Sequence, residues 1–85
     1  MIENNINLCI QERQNIIFKN GMIHVVGFSG PGKIEVYTII GNQMMTQKVR
    51  EFSSFRLSLK LKSSNIYIVR IFNKDHHKSF KLAVP

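Results

Sequence analysis

Residues 65–73, Asn65-Ile66-Tyr67-Ile68-Val69-Arg70-Ile71-Phe72-Asn73, decide the fold. The odd positions Tyr67, Val69 and Ile71 make one apolar face, and Ile66, Ile68, Arg70 and Phe72 make a second that is apolar apart from Arg70. Side chains that lose χ1 freedom in a helix pack well on a pleated surface, so the stretch reads as a β-strand. Apolar on both sides, it is expected inside a sheet and not at its edge.

The same two-residue period continues outward. In Phe55–Lys62, Phe55, Leu57, Leu59 and Leu61 alternate with Arg56, Ser58, Lys60 and Lys62, which predicts a strand with one buried face. Ser63-Ser64-Asn65 reads as a turn, with Asn65 expected in the left-handed conformation. On the other side, Asn73–Lys78 reads as a polar connection whose histidines are solvated. A last strand follows, in which Phe80, Leu82 and Val84 alternate with Lys81 and Ala83.

Nearer the start, Ile16–Lys19 and Met22–Val26 flank Asn20-Gly21, the preferred pair for a two-residue type I′ turn because both positions tolerate φ > 0. Such a turn sets Lys19 against Met22, Phe18 against Ile23, Ile17 against His24 and Ile16 against Val25. Phe18, Ile23, Ile16 and Val25 then face the core, and His24 is a half-exposed strand residue. Ile34 and Val36 oppose Glu35 and Tyr37 in the next strand. Gly41-Asn42 suits a type I turn closed by a glycine bulge, and Gln43–Val49 completes a second hairpin. Arg50–Ser54 is a polar linker with Phe52 as a plug, and Ile6, Leu8 and Ile10 suggest a first strand. About eight short strands with turn signals between them predict one all-β domain over residues 1–85, an antiparallel sandwich or barrel, with two sheets packed face to face favoured.

Composition narrows the function classes. The single cysteine, Cys9, excludes an internal disulfide framework, and it has no plausible base fixed nearby for nucleophilic work. No run approaches about 18 apolar residues, so no transmembrane helix is expected. The opening residues lack a basic region followed by an apolar run, so no signal peptide is expected within them. The chain is cytoplasmic if Met1 is the native start, and secreted or at the cell surface if it was cut from a longer exported protein. Residues 1–43 balance three basic against three acidic side chains, while residues 44–85 carry nine against two, so the whole excess of +7 lies in the second half. A one-sided basic field attracts acidic partners, nucleic acid or anionic membrane.

Two motifs invite chemistry and lose it on inspection. Gly27-Phe28-Ser29-Gly30-Pro31-Gly32-Lys33 matches the start of a P-loop, but Ile34 replaces the Mg²⁺-binding hydroxyl and a strand pattern follows where a helix N-terminus is needed. It reads instead as a loop between sheets. His76-His77 has no further ligands at metal-site spacing. Paired carboxylates and Ser/His/Asp sets are absent from the pattern. No enzyme, metal or cofactor is expected.

Lys33–Pro85 resembles the C-terminal sorting domain of proteins exported by the bacterial type IX secretion system. The resemblance rests on Ile34-Glu35-Val36-Tyr37 followed by Gly41-Asn42, on the strand Phe55–Leu61, on Ser64-Asn65-Ile66-Tyr67-Ile68-Val69-Arg70-Ile71, and on the terminal Lys78–Val84. With the Asn20-Gly21 hairpin it extends over residues 14–85. Asn65 stands where the pattern usually has glycine, which suggests left-handed geometry there, and Pro85 stands where it has a basic tail. The resemblance implies an immunoglobulin-like β-sandwich of about seven to eight short strands. It also implies a non-catalytic address tag, linked to an upstream cargo domain and recognised by outer-membrane secretion machinery. The recognition candidates it implies are Tyr37, Gly41, Asn65, Tyr67, Val69, Arg70 and Lys81, of which Tyr67 and Val69 also read as core residues.

Two other readings remain. One is an accessory immunoglobulin-like spacer or carbohydrate-contacting module of an exported protein. The other is a basic barrel that binds single-stranded nucleic acid through Arg56, Lys60, Lys62, Arg70 and Lys81 with Tyr37 and Phe72, in a salt-dependent manner.

Overall fold

Asn20 and Gly21 have φ of 53° and 74°, the two left-handed residues of a type I′ turn. They join β1 (Asn15–Lys19) to β2 (Met22–Val26) in the expected register, from Lys19 opposite Met22 to Ile16 opposite Val25. The structure is a computed structural model and describes residues 14–74 and 76–85. The strand expected at Ile6–Ile10, with Cys9, lies outside the described residues. Five further strands follow: β3 (Gly32–Thr38), β4 (Gln43–Val49), β5 (Arg56–Ser58), β6 (Asn65–Asn73) and β7 (His76–Val84).

All described pairings are antiparallel, in a three-stranded sheet β1-β2-β5 and a four-stranded sheet β4-β3-β6-β7. In immunoglobulin lettering these are A-B-E and C′-C-F-G, an immunoglobulin-like sandwich in which the fourth strand stays beside the third. β6 is interior, flanked by β3 and β7, as its sequence predicts.

The inward rows follow from register. Ile16, Ile23, Val25 and Leu57 of the first sheet face Ile34, Val36, Val69, Ile71, Leu82 and Val84 of the second, all buried. Phe52, fully buried, fills the end of this layer from the β4–β5 loop, with ring centroids 5.9 Å from Phe28 and 5.8 Å from Phe55. The plug expected in the linker is thus one of the largest core residues. Its backbone N–H donates to Gly30 O at 2.9 Å, while Gly30 N–H donates to Glu51 Oε2 at 2.8 Å. Asn73 Nδ2 holds the same loop through Ser29 O and Pro31 O. The glycine-rich stretch is therefore a clasp between sheets, and its Gly30 N–H is committed to a carboxylate of the chain itself. Gly32 is required by space: a Cβ there would lie 1.9 Å from Phe72 O and 2.6 Å from the Phe52 ring.

Tyr67, the third residue of β6, buries its ring in the core while its hydroxyl accepts the N–H of Lys62 at 2.9 Å. A tyrosine at the start of strand F that bonds back to the E–F connection is the tyrosine corner of immunoglobulin-like sandwiches.

Three local expectations are corrected. The left-handed residue before β6 is Ser64 (φ 62°), not Asn65, which is already the first residue of the strand, opposite Val84. The leucine strand is only three residues long, because Ser58 pairs with Met22 and β2 turns away at Asn20–Gly21. Leu59 and Leu61 still pack against the core, without strand partners among the described residues. The polar connection after Asn73 is shorter than expected, with Asn73 opposite His76 and Lys74 at φ 59°, so His76 and His77 belong to β7. The β3–β4 turn follows the expected glycine-bulge form: Gly41 has φ 97° and its N–H donates to Thr38 O at 2.9 Å.

Candidate recognition surface

Register assembles the outer face of the four-stranded sheet in cross-strand rows. Lys48, Lys33, Phe72 and His77 make the first row, and Thr46, Glu35, Arg70 and Ser79 the second. Gln43, Tyr37, Ile68 and Lys81 make the third, and Ile66 and Ala83 lie beyond it. The second apolar face of β6 is therefore not a core face. Among the described residues no layer covers it, and Ile68, Arg70 and Phe72 are half-buried under their neighbours.

Within the first row, the Phe72 ring lies 4.6 Å from Lys33 Nζ and 5.1 Å from Arg70 Cζ, and it stacks on His77 with centroids 5.6 Å apart. A cation over an aromatic face gains from the ring quadrupole. In the second row, Glu35 is buried in the plane of the sheet; it accepts the Tyr37 hydroxyl at 2.7 Å and pairs with Lys33 at 3.1 Å. The Tyr37 hydrogen bond, against some desolvation and aided by Lys33 and Arg70, holds the Glu35 carboxyl below its ordinary value. The same bond to the carboxylate raises the Tyr37 phenol. Lys33, Glu35 and Tyr37 are alternate residues of one strand, so their shared face is legible from spacing alone.

The candidate residues divide between two roles. Tyr67 and Val69 are core, and Asn65 is an exposed strand end. Tyr37, Arg70 and Lys81 come together on the outer face, and Gly41 sits in the adjoining turn. Tyr37, Gly41 and Arg70 line one shallow depression with Thr38, Ile39 and Ile68. The basic set considered for nucleic acid does not share a face. Arg56 pairs with His24 on the outside of the other sheet, Lys60 and Lys62 lie past the end of β5, and the Phe72 ring already carries Lys33 and His77.

Among the described residues, no three His, Cys, Asp or Glu side chains gather as a metal site, and no helix is long and apolar enough to cross a membrane. What the surface offers is charge, hydrogen bonding and aromatic contact over a rigid sheet. Searches against protein-family models, curated proteins and solved structures return no match to the chain.

Proposed function

We propose that the domain is a non-catalytic sorting domain of the type IX secretion system, which addresses a covalently linked cargo to the cell surface or medium. The observation that carries this reading is the meeting of separate motif pieces on adjacent strands. Tyr37 from the first piece and Lys81 from the last flank Ile68 in one row, and Arg70 lies in the next row. The buried members, Tyr67 and Val69, hold the sheet in shape, while Tyr37, Gly41, Arg70 and Lys81 supply the surface that outer-membrane machinery would read. Such a division suits an address tag, whose information must be exposed and rigidly spaced.

The test fuses residues 14–85 behind a signal peptide and a reporter in a type IX-competent cell. Export is expected for the parent fusion. It is expected to fall to background for Arg70→Glu with Lys81→Glu, two outer-face changes that leave the core intact, provided that circular dichroism shows the fold unchanged. Equal export of the double variant, or none by the parent fusion, would reject the reading.

A further inference from the structure

Four of the five large exposed apolar side chains in the described residues, all but Ile17, gather at one end of the four-stranded sheet. Ile40, at the tip of the β3–β4 turn, is 80% exposed, and Ile39 beside it is 54% exposed. Met44 and Ile66, on neighbouring parts of the sheet, are also exposed. Single exposed apolar residues need no explanation, but a cluster on a turn tip does. Turn tips ordinarily carry Gly, Asn, Asp or Ser, and here only Gly41 is needed for the backbone.

Cations stand on both flanks of this tip. On one side, a depression between the turn and the start of β6 is walled by Ile39, Met44, Lys60, Lys62 and Ile66. On the other, the depression walled by Ile39, Gly41 and Ile68 carries Arg70, and Lys81 follows Ile68 in its row. Among the described residues, neither depression has a carboxylate in its wall. Of the described carboxylates, Glu35 on this sheet face is occupied by Lys33 and Tyr37 and lies opposite Arg70, and Glu51 is held in the Gly30–Ser53 clasp.

We propose that the Ile39–Ile40 turn is a membrane-docking tip that inserts into the surface of an anionic phospholipid bilayer, with Lys60, Lys62, Arg70 and Lys81 meeting the lipid phosphates. Two features favour a bilayer over a protein. The apolar apex is convex, with Ile40 outside both depressions, whereas protein anchors are seated in fully desolvated pockets. An apolar tip with cations on its flanks also matches the order of acyl chains and phosphates met on entering a bilayer. Each Lys or Arg near such a surface adds attraction that weakens with salt. This inference stands apart from the sorting role: a tag could be exported without touching lipid.

The test is flotation of the full 85-residue chain with vesicles of phosphatidylcholine alone, or mixed with phosphatidylglycerol. Binding is expected to the mixed vesicles at low salt, weaker at high salt, and absent with phosphatidylcholine alone. Ile39→Ser and Ile40→Ser are each expected to weaken binding by about tenfold. Lys60→Gln with Lys62→Gln is expected to weaken it and flatten its salt dependence. Ile17→Ser, which removes a comparably exposed isoleucine from the other sheet, is expected to change nothing. Because the chain has no tryptophan, Ile40→Trp supplies a single reporter whose emission should shift to the blue on the mixed vesicles. No binding at low salt, an equal loss with Ile17→Ser, or no shift from Ile40→Trp would overturn the proposal. So would self-association broken by Ile40→Ser without vesicle binding, which would make the tip a protein contact.

Discussion

Replacing Tyr67 by Phe removes one oxygen from the sandwich and tests whether the tyrosine corner holds the β5–β6 connection. The ring would remain in the core, so the hydrophobic contribution of Tyr67 should survive. What is lost is the bond from Lys62 N–H, 2.9 Å long and partly buried, at a segment with no strand partner among the described residues. A hydrogen bond contributes about 0.5–1.5 kcal/mol net, and a buried donor left without an acceptor costs about 1–3 kcal/mol. Since water has partial access to this donor, a destabilisation of about 1–2 kcal/mol is expected. For a domain of this size, each kcal/mol lowers the melting temperature by about 4–8 °C. Urea unfolding followed by circular dichroism measures the change, with a lower midpoint and an unchanged slope. Hydrogen exchange should meanwhile speed up at Lys62 more than at Val69. A loss below about 0.3 kcal/mol, with Lys62 exchange unaltered, would refute the corner as a structural tie.

Three other outcomes follow from the same geometry. Gly32→Ala should destabilise by more than about 3 kcal/mol, because its Cβ would meet the Phe72 carbonyl and the Phe52 ring, and thermal melting checks it. Ser64→Gly should stabilise by about 1 kcal/mol, since Ser64 holds φ 62° where glycine carries no Cβ penalty, as read by urea midpoint. Glu35 and Glu51 both titrate below the ordinary carboxyl value of 4.5, Glu35 through Tyr37 and Lys33, and Glu51 through Ser53 and the Gly30 N–H. A carboxyl with a lowered folded value adds stability above the unfolded value and loses it as pH falls through the folded one. Stability should therefore fall as pH drops below about 4.5, and Glu35→Gln with Glu51→Gln should flatten that fall in melts taken across the acid range.

The parts of the fold that depend on local chemistry were legible in the sequence. Asn20-Gly21 specifies its turn and hence the pairing of Ile16, Ile17, Phe18 and Lys19, and the apolar character of residues 65–73 specifies an interior strand. The errors arise where distant chain decides. The alternation of Phe55–Lys62 could not reveal that β2 begins only at Met22, which leaves Leu59–Lys62 without a strand partner among the described residues. Lys74 is not a glycine, and it accepts a left-handed angle because the long β6–β7 ladder, with Asn73 opposite His76, imposes it. At the candidate surface, the shared face of Lys33, Glu35 and Tyr37 follows from spacing within one strand. The meeting of Tyr37 with Ile68 and Lys81 is set by two inter-strand registers, which no local pattern encodes. Ile39 and Ile40 are ordinary strand residues by composition, and only the turn geometry exposes them.

The register that seats Tyr37 opposite Ile68, and Ile68 opposite Lys81, underlies both the core and the outer surface. Cross-strand nuclear Overhauser contacts in the isotope-labelled 85-residue chain test it directly. Backbone contacts linking Tyr37 to Ile68 and Ile68 to Lys81 are predicted, together with Val36 to Val69 and Val69 to Phe80. Contacts displaced by one residue, with Tyr37 against Val69, would turn Arg70 into the core and contradict the account.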